Sequence, residues 1–399
     1  MNAHGVFLGT AFAAAAIAAH AHGQCKYEVT VVEGPRCPPF GVPTSSWATD
    51  LDERGHMVGY YLQCGSPSYH EASRWTATEG LVELPRGQFA GATTHAINRR
   101  GEIVGRLESP YRGALWRDGE MTFLVGPPES TRTQAEAINS HGVIAGWWGN
   151  TIDGPGAVAA LWKDGEMVDL GPIVGGVRSE AMDINDAGDI AGIRRLRDED
   201  ERIAFLLRDG QVIDLGPIPG GYSSLALAIN SRGEIVGYGR LDGALTQDRG
   251  AFLWSDGEMH ALPSLPGFSR CYALDTNDRG EIVGYCKGAG SARVAVIWRD
   301  GVPIALDELL EHGDVLIDRA SAINDAGQIA GQTARGNACI LTRRPIIAGD
   351  VTCDGVVGMS DLLQVLSRWG PCGLCTADLD RDRFVGPGDL TIVLRNWTP

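Results

Sequence analysis

The strongest constraint on this chain is a phrase that it repeats. The stretch "AINSRGEIVGYG" (228–239) returns with small changes as "ATDLDERGHMVG" (48–59), "HAINRRGEIVG" (95–105), "EAINSHGVIAG" (136–146), "MDINDAGDIAG" (182–192), "LDTNDRGEIVG" (274–284) and "SAINDAGQIAG" (321–331). The turn positions are Asp52, Asn98, Asn139, Asn185, Asn230, Asn277 and Asn324, with a period of 41 to 47 residues. A fixed period of this size is the mark of a repeat architecture and decides the fold before any single residue does.

Each unit reads as strands. A small or apolar residue leads into Ile-Asn, then two residues, then Gly, which can take the left-handed conformation of a hairpin loop. Asn suits the turn because its side chain caps the turn backbone. A second strand such as "EIVGY" follows. After a variable loop comes a third strand, as in "SRWT" (73–76), "ALWRDG" (114–119), "ALWKDG" (160–165), "AFLLRDG" (204–210), "AFLWSDG" (251–257) and "VIWRDG" (296–301). Asp-Gly then turns the chain into a fourth strand, for example "EMVDLGP" (166–172). Four short strands in about 45 residues match a propeller blade.

The ends of the array sharpen this. Six units carry a fourth strand, but the seventh stops at "ACILTRRP" (338–345), and a spare strand, "YEVTVVEGP" (27–35), stands in front of the first unit. A first strand that completes the last blade closes a ring and leaves few exposed edges. The expectation is an all-β fold over residues 25–344, a seven-bladed β-propeller closed by an N-terminal strand. The unit "AIN..GEIVG......AFLW.DG" resembles the extracellular HAF-type repeats of secreted bacterial proteins. That resemblance implies a propeller-like fold and no defined activity.

The repeated Trp116, Trp162, Trp254 and Trp298 occupy one strand position, which favours packing between blades over a sugar platform. Ligand contacts are expected where blades differ, above all in the loops between second and third strands, "YYLQCGSPSYHEAS" (60–73), "WWGNTIDGPGAVA" (147–159) and "IRRLRDEDERI" (193–203). Tyr60, Tyr61, Trp147 and Trp148 open two of these loops and offer stacking faces to a carbohydrate.

Net charge is −16 and no Lys/Arg-rich run occurs, which argues against nucleic acid and anionic membranes as partners. The start of the chain resembles a secretory signal (1–21). Val6 to Ala19 is a short apolar run, too short to span a bilayer well, and Ala19-His20-Ala21 fits a small-x-small cleavage site. A secreted, extracellular protein is expected. Nine cysteines in an exported chain suggest disulfides. Cys25 and Cys37 could close a local loop, and Cys271 and Cys286 lie symmetrically about a hairpin turn, although a bulge there would spoil their register.

Residues 349–399 leave the repeat pattern. "DVTCDGVVGMSD" (350–361) places Asp350, Thr352, Asp354 and Asp361 at loop positions 1, 3, 5 and 12, with Gly355 at the sharp turn and the Val356 carbonyl at position 7. "DLDRDRFVGPGD" (378–389) repeats the spacing with Asp378, Asp380, Asp382, the Phe384 carbonyl and Asp389. Such oxygen sets suit calcium, and two sites are expected. Each loop runs into an apolar helix, "SDLLQVLSRWG" (360–370) and "GDLTIVLRNW" (388–397), and the copies are offset by 28 residues throughout.

This duplicated loop and helix resembles a type I dockerin, in particular the Cys-containing variant of secreted planctomycete-like proteins. The resemblance implies calcium on the positions just named. It also implies recognition of a cohesin-like partner through Met359, Ser360, Pro387 and Gly388. Arg383 stands where the second loop should have Gly, so weaker calcium binding is expected there. Cys353 is expected to pair with Cys372 or Cys375.

Together these readings predict a monomeric, secreted, non-catalytic binding or adaptor protein. Its propeller presents a ligand-binding face, with carbohydrate as a candidate ligand, and its dockerin docks it to a partner. The alternative is a dockerin-bearing glycoside hydrolase or polysaccharide lyase. No catalytic residue stands out, and the nearest acids outside the repeat pattern are Asp198 and Glu201.

Overall fold

The computed structural model describes residues 27–37, 42–65, 68–149, 156–196, 202–241, 248–288, 292–310, 314–343, 348–352, 356–372, 377–380, 382 and 384–398. The signal-like segment, Cys25, Asp198, Glu201, Cys353, Asp354, Gly355, Cys375 and Arg383 lie outside them. The chain divides into two compact units, residues 29–342 and the rest, each taken by itself below.

The first unit is built of strands apart from two short helical turns, Gly171–Val174 and Leu306–Leu309, and the repeated words explain why. In the second repeat, Asn98 Oδ1 accepts the N–H groups of Arg100 and Glu102, both at 3.0 Å. Gly101 completes the loop at φ +80°, a region open to glycine at little cost. Gly55, Gly142, Gly188, Gly233, Gly280 and Gly327 do the same in the other repeats. The Asp-Gly links behave as two-residue turns: Asp118, Asp164, Asp209, Asp256 and Asp300 and the glycines after them all have positive φ, which matches the twist of a hairpin.

Every first strand also carries a bulge just before its turn, as between Ala226 and Ala228. The bulge drives a carbonyl onto the second strand. A Cβ on Gly237 would lie 1.9 Å from the Leu225 carbonyl oxygen, so the Gly of "IVG" is required by contact.

Strands pair in sequence order within each repeat, as in Ser46–Leu51, Met57–Leu62, His70–Thr76 and Gly80–Glu83 of the first. The seventh repeat, Ile317–Ile323, Ile329–Thr333 and Ala338–Arg343, takes Tyr27–Val32 as its fourth strand. The fifth repeat begins Leu225–Ile229, Ile235–Arg240, Arg249–Ser255, and the sixth Arg270–Thr276, Ile282–Lys287, Arg293–Arg299. Their sheets join through one parallel pairing, Arg249 with Arg270.

Each first strand packs against the next, and Ile317–Ile323 packs against Ser46–Leu51. The turn amides follow the same path. Asn98 Nδ2 donates to Asn139 O, Asn139 to Asn185 O, Asn185 to Asn230 O, Asn230 to Asn277 O, Asn277 to Asn324 O, and Asn324 to Asp52 O, all within 2.9–3.2 Å. Asp52 has no amide to donate, so it closes the path only as an acceptor.

Apolar clusters fill the spaces between successive sheets. Trp116, Trp162 and Trp298 are almost wholly buried, and each indole donates back to the preceding repeat, to Pro85 O, Val125 O and Pro263 O. They are packing residues.

Two cysteine readings are resolved. Cys37 bonds Cys64, not Cys25. Leu62 N–H donates to Ser45 O at 3.0 Å, which brings the end of the second strand beside the segment that follows Cys37. Cys271 does bond Cys286, and they face each other in register. The bulge between Ala273 and Asp275 offsets the odd residue of the turn and restores the alignment instead of spoiling it.

The second unit holds two nine-residue helices, Met359–Ser367 and Pro387–Arg395, around Val351, Val357, Val365, Ala377, Val385 and Val393. Asp361 and Asp389 have no exposed surface, and their Oδ2 atoms accept from Gly358 and Gly386 at the helix starts, both at 2.8 Å. Cys372 is disulfide-bonded to a residue outside the described set.

Candidate functional site

Because the Asn turns are nearly identical, variation collects at the opposite ends of the same strands, where first strands begin and second strands end. In the first repeat Trp47 stacks on Tyr60 with ring centroids 5.3 Å apart, and His70 meets both rings edge-on at 6.0 and 5.0 Å. Across the fifth and sixth repeats, Tyr272 stacks on Tyr285 at 4.6 Å and meets Tyr238 at 4.8 Å. Arg293 and Arg319 lie over the Tyr285 ring at 5.2 and 5.7 Å, and Arg106 and Arg132 flank Tyr111 at 4.9 and 5.1 Å.

These groups converge. Burial pushes the hydroxyls of Tyr60, Tyr238 and Tyr285 up from the usual phenol range, and the Arg319 charge pulls all three the other way. One guanidinium of the seventh repeat therefore sits within electrostatic reach of tyrosines from the first, fifth and sixth. Arg319 Nε and Arg106 Nε are buried with no hydrogen-bond acceptor among the described residues. Aromatic faces beside cationic donors at one mouth suit a ligand that is flat, hydroxylated and polar.

Acid–base groups border the mouth. His70 Nδ1 lies 3.1 Å from Glu108 Oε1, and Arg106 Nη2 is 3.7 Å from the same oxygen. His95 Nδ1 lies 3.1 Å from Glu136 Oε2. Burial pushes the Glu136 carboxyl up, but hydrogen bonds and charge from His95, with Trp147 and Gln134, outweigh it and hold the group below its ordinary value.

Two residues before the turn position, Asp50, Asp183 and Asp275 occupy one position in the first, fourth and sixth repeats. Each accepts one N–H from the residue after it and one from the next repeat, Ile97, Ile229 and Ile323, at 2.7–2.8 Å. Burial raises all three carboxyls, Asp50 to about 7 and Asp183 to about 6, and for Asp275 the Asp50 charge adds to it.

Of the four aromatics expected at a ligand, Tyr60 stands in the mouth. Tyr61 is buried, with its hydroxyl on Glu83. Trp147 is buried and donates to Glu136 Oε1 at 3.1 Å, and Trp148 packs against the core between the second and third repeats. Trp47, His70, Tyr238, Tyr272, Tyr285 and Arg319 were missed. A positional signal existed: Trp47, Tyr272 and Arg319 all precede their turn residue by five, and Tyr60, Tyr238 and Tyr285 follow theirs by eight.

In the second unit, oxygens of Asp378, Asp380 and Asp382 lie within 4.8 Å of one another. Desolvation, then the charges of Asp389, Asp382 and Asp378, raises the Asp380 carboxyl. An all-oxygen, mutually repelling set fits a hard divalent cation. Asp389 Oδ1 also accepts from Leu379 and Asp380, and Asp361 Oδ1 accepts from the Thr352 amide and hydroxyl, so each position-12 carboxylate ties its loop to its helix. Thr352 lies beside Asp361 and Asp350 is buried, while Asp354 falls outside the described residues. Met359 and Ser360 open the first helix, and Pro387 and Gly388 the second.

No protein-family model and no curated protein matches this chain. Among solved structures, an oligogalacturonate lyase from Vibrio parahaemolyticus superposes with a TM-score of 0.53 at 12% identity, covering 79% of this chain and 98% of that one. An oligogalacturonate lyase in complex with manganese gives 0.50 at 12% identity, covering 80% and 98%. YCF48 bound to D1 peptide gives 0.49 at 10% identity, covering 80% and 97%. At such identity the likeness concerns fold alone, and the fold is of the β-propeller type.

Proposed function

We propose that this is a secreted, non-catalytic binding protein. Its repeats form a seven-bladed propeller closed by the N-terminal strand, the mouth built around Tyr60, Tyr238, Tyr285 and Arg319 takes a carbohydrate, and the C-terminal unit is a calcium-ordered, dockerin-like module that docks to a cohesin-like partner. The observation that carries the ligand reading is the convergence of stacked aromatic rings and arginines from separate repeats at the one end where the repeats differ. The docking reading is supported by apolar side chains left open on both helices and just beyond them, Met359, Leu363, Leu366, Trp369, Leu394 and Trp397. Disulfides in the repeat unit fit an oxidising compartment. Among the described residues no helix is long and apolar enough to cross a membrane.

A glycan-array screen of the protein in calcium, with product analysis on every hit, tests this. Binding without released product is expected, and release of oligosaccharide overturns the non-catalytic part. The polysaccharide-lyase alternative draws on one observation, the His70–Glu108–Arg106 cluster beside Tyr60, which holds a titratable base next to a cation.

A further inference from the structure

The strand ends around the mouth carry a pattern that the repeat words do not contain. Arg240 pairs with Arg249, Arg249 with Arg270, Arg270 with Lys287, and Lys287 with Arg293. Five cations thus stand in register on five successive strands, in a chain whose net charge is −16. Directly opposed like charges on neighbouring strands destabilise a sheet. Among the described residues no carboxylate lies within ion-pairing distance of Arg249, Arg270, Lys287 or Arg293.

In the fourth repeat an opposed pair of this kind has acids beside it. Arg178 faces Arg195 across one strand pair, but Arg178 is held by Glu180, and the neighbouring Arg194 is held by Asp214 at 2.6 Å. Among the described residues, the four ladder members from Arg249 to Arg293 have no such carboxylate in ion-pair contact, and Asp318 acts on Arg293 only at longer range. Beside it, Arg202, Ser223, Leu225, Tyr238, Arg240 and Arg249 line a cleft of about 90 Å³. Arg249 and Arg202 both bear electrostatically on the Tyr238 hydroxyl, and Arg293 on that of Tyr285. The ladder therefore runs into the aromatic mouth.

We propose that this ladder is the binding track for a linear polycarboxylate, specifically a glycan of uronic acids. Neighbouring strands are spaced about 4.8 Å apart. One cation per strand then matches a polymer with one carboxylate per linked pyranose ring, while Tyr238, Tyr272 and Tyr285 supply faces for the rings. Arginine suits this because its planar fork grips a carboxylate through two parallel hydrogen bonds. The inference rests on the carbohydrate reading above and gives it a ligand class.

The test is titration calorimetry of the full chain in calcium with four probes: hexagalacturonate, its full methyl ester, xylohexaose, and a sulfated heparin hexasaccharide. Hexagalacturonate is expected to bind and to weaken steeply with added salt, and the methyl ester to bind at least tenfold more weakly. Arg249→Gln and Lys287→Gln should each lose about tenfold for hexagalacturonate, yet melt at or above the temperature of the unaltered protein, because each removes a like-charge opposition. A residue with a merely structural role would lower the melting temperature instead. Equal binding of acid and ester, or variants that bind normally, overturns the track. Preference for the sulfated probe overturns the carboxylate assignment. Binding of xylohexaose alone overturns the track but leaves the carbohydrate reading standing, whereas a chain that binds no glycan on a full array defeats that reading itself.

Discussion

The side-chain amide of Asn324 donates to the backbone carbonyl of Asp52 at 3.0 Å, joining residues 272 positions apart. It is the bond by which the last turn meets the first, and it copies the bond that every other Asn turn makes to its successor. Asn324 Oδ1 meanwhile accepts from Gln328 N–H at 2.8 Å, so one side chain both shapes its own hairpin and ties it to the next.

Asn324→Asp keeps the acceptor and removes the donor, leaving the Asp52 carbonyl with only the Gly55 N–H of its own turn and facing a carboxylate. The loss expected is about 1–3 kcal/mol, seen as a lower urea midpoint at unchanged slope. An unchanged midpoint contradicts the role of this bond in closure.

Asp50, Asp183 and Asp275 set a pH dependence. Their folded pKa values stand above those of the unfolded chain, so the stability they allow is fully present below about pH 4. It is lost as pH rises through the range near 6 and 7 where Asp183 and Asp50 ionise in the folded protein. Asp50→Asn should remove part of this loss, gaining on the order of 1–3 kcal/mol at pH 7.5 and little at pH 4.5. Urea titrations at those two pH values read the difference, and a gain of equal size at both contradicts the assignment.

Disulfide mapping of unreduced peptides should link Cys37 to Cys64 and Cys271 to Cys286, with Cys339 alkylated only after unfolding because it is buried. Replacing Cys271 and Cys286 together by Ala opens a loop of sequence separation 15 and should lower stability by about 3 kcal/mol. A Cys25–Cys37 peptide would contradict the pairing.

Calcium should order the second unit. Chelation is expected to abolish the helical signal of residues 359–367 and 387–395 and to prevent docking, while the repeat unit keeps its melting transition. Titration should resolve two unequal affinities, the weaker falling with Asp382→Ala and the tighter with Asp350→Ala. Two equally tight sites would contradict the expectation that Arg383, standing in place of Gly, weakens the second site.

The repeated turn words made the strand order legible, and the unmatched strand at residues 27–35 identified its own partner at residues 338–343. The Trp residues were legible for the same reason, since a type repeated at one position serves what all repeats share. The mouth was harder to see. Trp47, Tyr60, Tyr238, Tyr272 and Arg319 differ in type and lie far apart in sequence, and only the packing of repeats on one another brings them together. The cationic ladder was equally hidden, because its five members are single residues at strand ends and form no run. Aromatic pairs misled for a physical reason: in a strand, neighbours point to opposite faces, so Tyr60 reaches the mouth while Tyr61 is buried against Glu83.

The central claim, a carbohydrate held at the aromatic and cationic mouth, is tested most directly by one paired measurement. Affinity for the best glycan from the array is compared between the unaltered chain and Tyr60→Ala, Tyr285→Ala and Arg319→Ala, each checked for an unchanged fold by its circular dichroism spectrum. Losses of about tenfold or more at each position, about 1–3 kcal/mol for a stacked ring, are the result expected. Three folded variants that bind as tightly as the original would place the ligand elsewhere and contradict the claim.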